Sequence, residues 1–73
     1  MFTLPESGFV ELAIYNLRGA RVRALLRGDA GAGQNSVEWN GRDDSGHSVP
    51  SGVYFARLTS ANDFVTSRIT VIQ

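Results

Sequence analysis

Residues 37–58 read VEWNGRDDSGHSVPSGVYFARL, and this stretch decides the fold. The alternation around Trp39 predicts a short strand, and the aromatic run 52–58 predicts a second one. Successive side chains point to opposite faces of a strand, so Val37 and Trp39 share a face. The second strand is apolar on both faces, with Tyr54, Ala56 and Leu58 on one and Val53 and Phe55 on the other. Such a strand is typically central, so residues 52–58 are predicted to be the innermost strand.

Trp39 is the only tryptophan of the chain. Because it is the largest apolar side chain available, we expect it to be largely buried at the centre of the core. Tyr54 follows on the neighbouring predicted strand and faces inward as well. The two rings are therefore predicted to lie in or near contact, with Tyr54 also largely buried.

The polar run between these strands, residues 40–51, predicts a compact double turn. It contains Gly41 and Gly46, and glycine accepts the positive φ that tight turns require. Pro50 cannot donate to a strand ladder, so the second strand begins after it. We expect a positive φ at Gly46. Gly52 is predicted to lie where the strand begins, with no room for a side chain.

The rest of the chain predicts further short strands. They are an edge strand at 2–4, a half-buried strand at 9–16, a returning strand at 20–26 and a closing strand at 64–72, with turns at 16–19 and 60–63. The adjacent Leu25 and Leu26 break the alternation and indicate a bulge or a strand end. Residues 27–34, RGDAGAGQ, are glycine-rich and predict an exposed loop. No window has a helical period, so six or seven strands predict an all-β antiparallel sandwich.

Composition narrows the class of protein further. The 73 residues suffice for a single domain, residues 1–73, and the chain has no cysteine for disulfides or thiolate metal sites. Seven basic residues balance seven acidic ones, which argues against a nucleic-acid partner. No apolar run is long enough to span a membrane, and the start lacks the features of a signal peptide. If the domain is exported, we expect a longer parent protein to carry the leader.

A catalytic triad, a calcium site and an integrin-ligand motif can each be suggested from residues 27–51. For each of them, a purely structural role of the residues is the better-supported interpretation. His47 lies near acidic and serine residues in sequence, but catalytic triads need separate rigid elements and an oxyanion hole. Asn40, Asp43 and Asp44 offer oxygens for calcium, yet their spacing does not match an EF-hand loop. The tripeptide 27–29, Arg-Gly-Asp, matches an integrin-ligand motif by three letters only. We therefore expect no catalytic residue, metal site or cofactor.

Residues 39–58, WNGRDDSGHSVPSGVYFARL, closely resemble the FlgD-type immunoglobulin-like domain. They also resemble the related type A C-terminal sorting domain of type IX secretion. The hairpin 10–25, VELAIYNLRGARVRAL, and the ending 68–73, RITVIQ, are similar to the corresponding strands of that family. Two features depart from the sorting domain: its opening asparagine-proline segment is absent, and the ending has no lysine. The chain is thus expected to start inside or just after the first strand.

The resemblance implies a small immunoglobulin/fibronectin III-like sandwich that serves as the C-terminal module of an exported bacterial protein. Its motif residues here are Trp39, Gly41, Asp44, Gly46, Gly52, Tyr54 and Leu58. It implies a non-catalytic role in secretion sorting and surface display, reached through the periplasm, with secretion machinery or neighbouring subunits as protein partners. Alternatives are a flagellar hook-cap assembly module and an adhesive or spacer domain. Neither nucleic acid, small-molecule substrate nor direct membrane insertion is expected.

An edge strand offers unpaired backbone groups to a partner sheet, and the closing strand is the candidate for such an edge. Its residues Arg68, Ile69 and Val71 are the predicted contact positions.

Overall fold

The computed structural model describes residues 2–61 and 63–72 of the chain. This part of the chain contains six strands and no helix, and so no helix long and apolar enough to cross a membrane. In chain order the strands are β1 (Phe2–Leu4), β2 (Gly8–Tyr15), β3 (Arg21–Ala30), β4 (Gly33–Asn35), β5 (Gly52–Thr59) and β6 (Phe64–Val71). The predicted all-β antiparallel class is confirmed.

The strands form two antiparallel sheets. The larger sheet has the order β3-β2-β5-β6, and the smaller one pairs β1 with β4. β5 lies between β2 and β6, which confirms that the strand with two apolar faces is central. The pairing of β5 with β6 runs from Gly52↔Val71 to Thr59↔Phe64 without a register shift.

The core is built on the central strands. Val10 and Ile14, which share a face of β2, are 1% and 0% exposed. Ile14 packs with Val49 of the polar run and Tyr54 of β5, and partly buried neighbours surround this cluster. The half-buried strand predicted at 9–16 is thus confirmed as β2, although Ala13 on its other face is also buried.

Trp39 is less central than the sequence predicts. Residues 36–40 form no strand, so the prediction of a strand carrying the tryptophan is wrong. Trp39 is partly buried and packs against the cluster around Ile14, so the expectation that it lies at the core centre is also wrong. β4 ends at Asn35 and β5 begins at Gly52, so Trp39 belongs to neither sheet and no strand pairing fixes its position.

The glycine-rich stretch 27–34 is mostly strand and not a loop. β3 continues to Ala30, and β4 begins at Gly33. β3 extends this far because it pairs with β2 up to the first residue of β2: Val10 pairs with Gly28, and Gly8 pairs with Ala30. A long partner strand overrides weak local propensity. The bulge indicated by Leu25 and Leu26 is confirmed by a register shift between Leu12 and Ala13 of β2.

The predictions for Gly46 and Gly52 are confirmed only in part. Gly46 has the expected positive φ of 86°, and Gly41 has one of 75°. Gly52 does open β5, but open space surrounds the position where its Cβ would lie, so the predicted lack of room is wrong. The backbone explains glycine there, because its φ of 155° is rarely adopted by other residues. The turn predicted at 60–63 includes Asn62, which lies outside the described residues.

Candidate functional site

The polar run 40–51, termed the capping loop below, lies against the outer edge of β3. The backbone N–H of Asp44 donates to the carbonyl of Val22 at 2.9 Å. The Oδ1 atom of Asp44 in turn accepts from the backbone N–H of Ala24 at 2.9 Å. One residue therefore satisfies a donor and an acceptor of β3 that would otherwise remain open at the sheet edge.

Two arginines of β3 reinforce this cap. The guanidinium of Arg23 donates to the carbonyl of Asp43 at 3.1 Å. The Nε of Arg21 lies 3.5 Å from Oδ2 of Asp44 in an exposed ion pair. Exposed pairs contribute little to stability. These side chains thus help to hold the capping loop against β3.

Inside the capping loop, the acidic and polar groups bind the backbone of the loop itself. The Oδ1 atom of Asp43 accepts from the N–H groups of Ser45 and His47 at 2.9 and 3.0 Å. The N–H of Gly46 donates to the carbonyl of Asp43 at 2.9 Å. In the described part of the chain, no three His, Cys, Asp or Glu residues are grouped so that they could hold a metal ion. The carboxylate of Asp43 therefore stabilises the turn within the loop.

The ends of the capping loop are anchored by two aromatic side chains. The indole N–H of Trp39 donates to the carbonyl of Arg42 at 2.9 Å. The hydroxyl of Tyr54 donates to the carbonyl of Pro50 at 2.7 Å. The two rings meet edge to face, with centroids 5.6 Å apart, so the predicted contact is confirmed. Tyr54 is 7% exposed, as expected for a buried ring.

The Arg-Gly-Asp tripeptide is part of β3 and does not project from a loop. Arg27 pairs with Glu11 in the ladder, and Asp29 pairs with Phe9. The Nε of Arg27 also lies 3.7 Å from a carboxylate oxygen of Glu11. An extended, paired tripeptide cannot present the turn that the integrin hypothesis placed here.

The opposite edge of the large sheet is open. Among residues 2–61 and 63–72, β6 pairs with β5 and with no other strand. It has eight residues, no proline and no bulge, and Arg68 is its one charged residue. Phe64 and Val65 are 58% and 60% exposed. β6 thus lacks most devices that normally discourage pairing at an edge. Of the predicted contact positions, Arg68 is exposed, whereas Ile69 and Val71 are partly buried against the core.

The two faces of β6 differ. Val65, Ser67 and Ile69 face a groove of about 630 Å³ between the sheets, which is also lined by Trp39 and Leu58. On the outer face, the guanidinium of Arg57 lies 4.8 Å from the ring centre of Phe64 and 5.5 Å from that of Tyr15. This stacking is favourable by about 0.5–1 kcal/mol for an exposed cation–π contact. The outer face of β6 is thus exposed along its length, whereas the inner face is exposed at Val65 and Ser67 and partly buried at Ile69 and Val71.

Sequence reasoning identified the open edge but missed the capped one. Asp44 was recognised as a residue of the turn, and nothing in its local pattern shows that the turn lies on β3. The distance in sequence between Asp44 and Ala24 hides their hydrogen bond. The neighbouring arginines of β3 are the only local signal that a carboxylate packs nearby.

These features define a small β-sandwich in which, among the described residues, a loop covers part of one edge of the larger sheet and the other edge is unpaired. The chain matches the family described as FlgD Ig-like domain over residues 2–63, and it belongs to that family. Comparisons with curated proteins and with solved structures gave no match.

Proposed function

We propose that this domain is a non-catalytic docking module that directs an exported bacterial protein to the cell surface. The unpaired edge of β6 is the observation that carries the proposal. On this proposal the module lies at the C-terminal end of its parent, crosses the periplasm and is recognised by the outer-membrane machinery of type IX secretion. The family match and its resemblance to sorting domains support this role.

The open edge is suited to recognition by strand addition. A partner strand that pairs with β6 gains main-chain hydrogen bonds along the edge. The side chains Phe64 and Arg68 on the outer face, and Val65 on the inner face, are exposed and supply specificity. β3 offers less to such a partner, because Asp44 already bonds two of its backbone groups. β1 and β4 have three residues each and provide short ladders only.

A second candidate is assembly within a flagellar hook cap. The family match is equally compatible with it, because the resemblance implies that such domains also occur in hook-capping proteins. The same open edge then packs against a sister subunit in place of secretion machinery. The parent protein distinguishes the two: a signal peptide and an upstream enzyme favour sorting, whereas a short hook-cap partner domain favours the flagellum.

The sorting proposal is tested with a secreted reporter. The domain is fused behind a signal peptide and a soluble reporter in a bacterium that has type IX secretion. Ser67→Lys places a charge in the open edge, which disfavours strand addition. Ser67 is exposed, so we expect the variant to fold. Leu17→Lys, at a side chain that is 72% exposed in the turn after β2, is the matched control.

We expect the parent domain and Leu17→Lys to bring the reporter to the cell surface, and Ser67→Lys to leave at least nine-tenths of it in the periplasm. Circular dichroism of the purified variants checks that both are folded. Equal surface display for all three proteins would show that the open edge is not the recognised feature. Periplasmic retention of all three would contradict the sorting role itself.

A further inference from the structure

We propose that two copies of this chain pair through β6 in an antiparallel dimer whose two-fold axis passes through Ser67. The joined sheets then form one continuous sheet of eight strands. The inference concerns self-association, and it goes beyond the proposed secretion role although both use the same edge of β6. Four observations support it: the register that β6 allows, the apolar face that it leaves open, the cap on the other edge, and the charge balance of the chain.

The register follows from the pairing rules of antiparallel strands. Residues directly opposite each other share a face of the sheet. A two-fold pairing that joins inner face to inner face must therefore be centred on a residue and not between two residues. With Ser67 at the centre, residues 64–70 of both copies lie within the ladder. Val65 then faces the second copy's Ile69, and Thr66 faces the second copy's Arg68.

The two neighbouring registers are less favourable. Centred on Arg68, the ladder places two guanidinium groups directly opposite each other, and like charges in that position are destabilising. Centred on Thr66, the ladder falls to residues 64–68 of β6 and leaves Ile69 without an apolar partner. The register centred on Ser67 is the one that combines a long ladder with two Val65–Ile69 contacts.

Pairing in this register covers apolar surface. Val65 is 60% exposed on the side that faces the groove, and Ile69 is partly buried beside it. In the dimer, each of these side chains gains an apolar neighbour across the new strand pair. A long edge strand with exposed apolar side chains is a site at which another chain can pair.

The cap on β3 disfavours growth beyond two copies. Asp44 bonds the carbonyl of Val22 and the N–H of Ala24, so a third copy would find the first part of β3 already occupied. An isologous pairing through one open edge gives a closed dimer, whereas two open edges would permit a filament. Seven basic and seven acidic residues give no net charge, so long-range repulsion does not oppose the approach of two copies.

Cysteine cross-linking tests both the dimer and its register, because the chain contains no native cysteine. Ser67→Cys places the two thiols on the axis, where opposite Cα atoms are about 5 Å apart and a disulfide fits. Thr70→Cys is the matched control on the same strand. Its two copies would be separated by roughly 20 Å at about 3.4 Å per residue. Thr66→Cys reports on the alternative register.

Under mild oxidation of the 73-residue chain, we expect Ser67→Cys to form the covalent dimer at least tenfold faster than either other variant. Sedimentation of the unmodified chain should show a mass that rises with concentration toward twice 7.9 kDa. Ser67→Lys should remain monomeric. A chain that stays monomeric at millimolar concentration, or equal rates for the three cysteine variants, would overturn the proposal. Fastest cross-linking of Thr66→Cys would overturn the register.

Different measurements would contradict the proposed dimer and the proposed secretion role. Dimerisation is measured on the isolated chain, whereas sorting is measured by reporter location in cells. Both use the same edge of β6, so a dimer and a captured module exclude one another. A dimer without surface display would contradict only the sorting role, and display by a strictly monomeric chain would contradict only the dimer.

Discussion

Trp39 contributes to this fold through both its ring and its N–H group. The ring meets Tyr54 edge to face, and the indole N–H donates to the carbonyl of Arg42. Because the side chain is only partly buried, we expect Trp39→Ala to lower the free energy of unfolding by about 2–3 kcal/mol, less than the roughly 3–5 kcal/mol of a fully buried tryptophan. Trp39→Phe keeps an aromatic contact and loses the hydrogen bond, so it should cost about 1 kcal/mol.

Urea unfolding followed by circular dichroism measures both Trp39 variants, because the signal does not depend on tryptophan fluorescence. Leu17→Ala is the control, since its side chain is 72% exposed. A Trp39→Ala protein as stable as this control would show that the ring does not support the core.

At the scale of single residues, the sequence predicts conformation better than burial. The positive φ of Gly46 followed from local turn chemistry, which acts within a few residues. The burial of Trp39 depends on how far the smaller sheet extends, and that is a property of distant strands. Gly52 is a similar case. Its backbone angle favours glycine, as the sequence indicates, but the space around it is open, and the sequence does not predict that.

At the scale of elements, the cap on β3 rests on Asp44. Asp44→Ala removes the acceptor for the N–H of Ala24 and should lower the free energy of unfolding by about 1–2 kcal/mol. Asp44→Asn keeps an oxygen at Oδ1 and loses only the exposed ion pair with Arg21, so it should cost under about 1 kcal/mol.

Thermal unfolding of the two Asp44 variants and of Glu6→Ala, an exposed residue of the turn after β1, separates the cap from general charge effects. Amide exchange at Ala24 is a second measure, and it should quicken in Asp44→Ala alone. Equal protection at Ala24 in all variants would mean that the hydrogen bond contributes nothing to the edge.

The strands with strong alternation, β2 and β5, were predictable because each carries a face of core residues. The end of β3 was not, since its Arg-Gly-Asp-Ala sequence has little strand propensity and pairs only because β2 is long enough to hold it. The closing strand was expected at an edge because the resemblance implies a partner that recognises one, and β6 does lie at an edge of the larger sheet. The cap on β3 was not, because it depends on contacts between residues twenty positions apart.

At the scale of the whole molecule, a two-stranded sheet lies over a four-stranded one. The smaller sheet cannot cover the whole inner face of the larger one, which leaves the groove of about 630 Å³. The groove is lined mainly by apolar side chains such as Leu58 and Val65. Incomplete cover explains why Trp39 remains partly exposed beside the buried cluster around Ile14.

Filling the groove should therefore stabilise the domain. Ala56 lines it from the central strand β5. Ala56→Leu adds apolar groups in open space beside Leu58 and Val65, where each buried methylene contributes up to about 0.8 kcal/mol. Because the groove stays partly wet, we expect a gain of about 1 kcal/mol in the free energy of unfolding. The native protein should also bind less of an apolar dye such as anilinonaphthalene sulfonate.

Ala32→Leu, at an exposed position between β3 and β4, adds the same groups outside the groove and should change neither the free energy of unfolding nor the dye binding. A loss of stability in Ala56→Leu would show that the sheets already pack too closely there to accept a larger side chain.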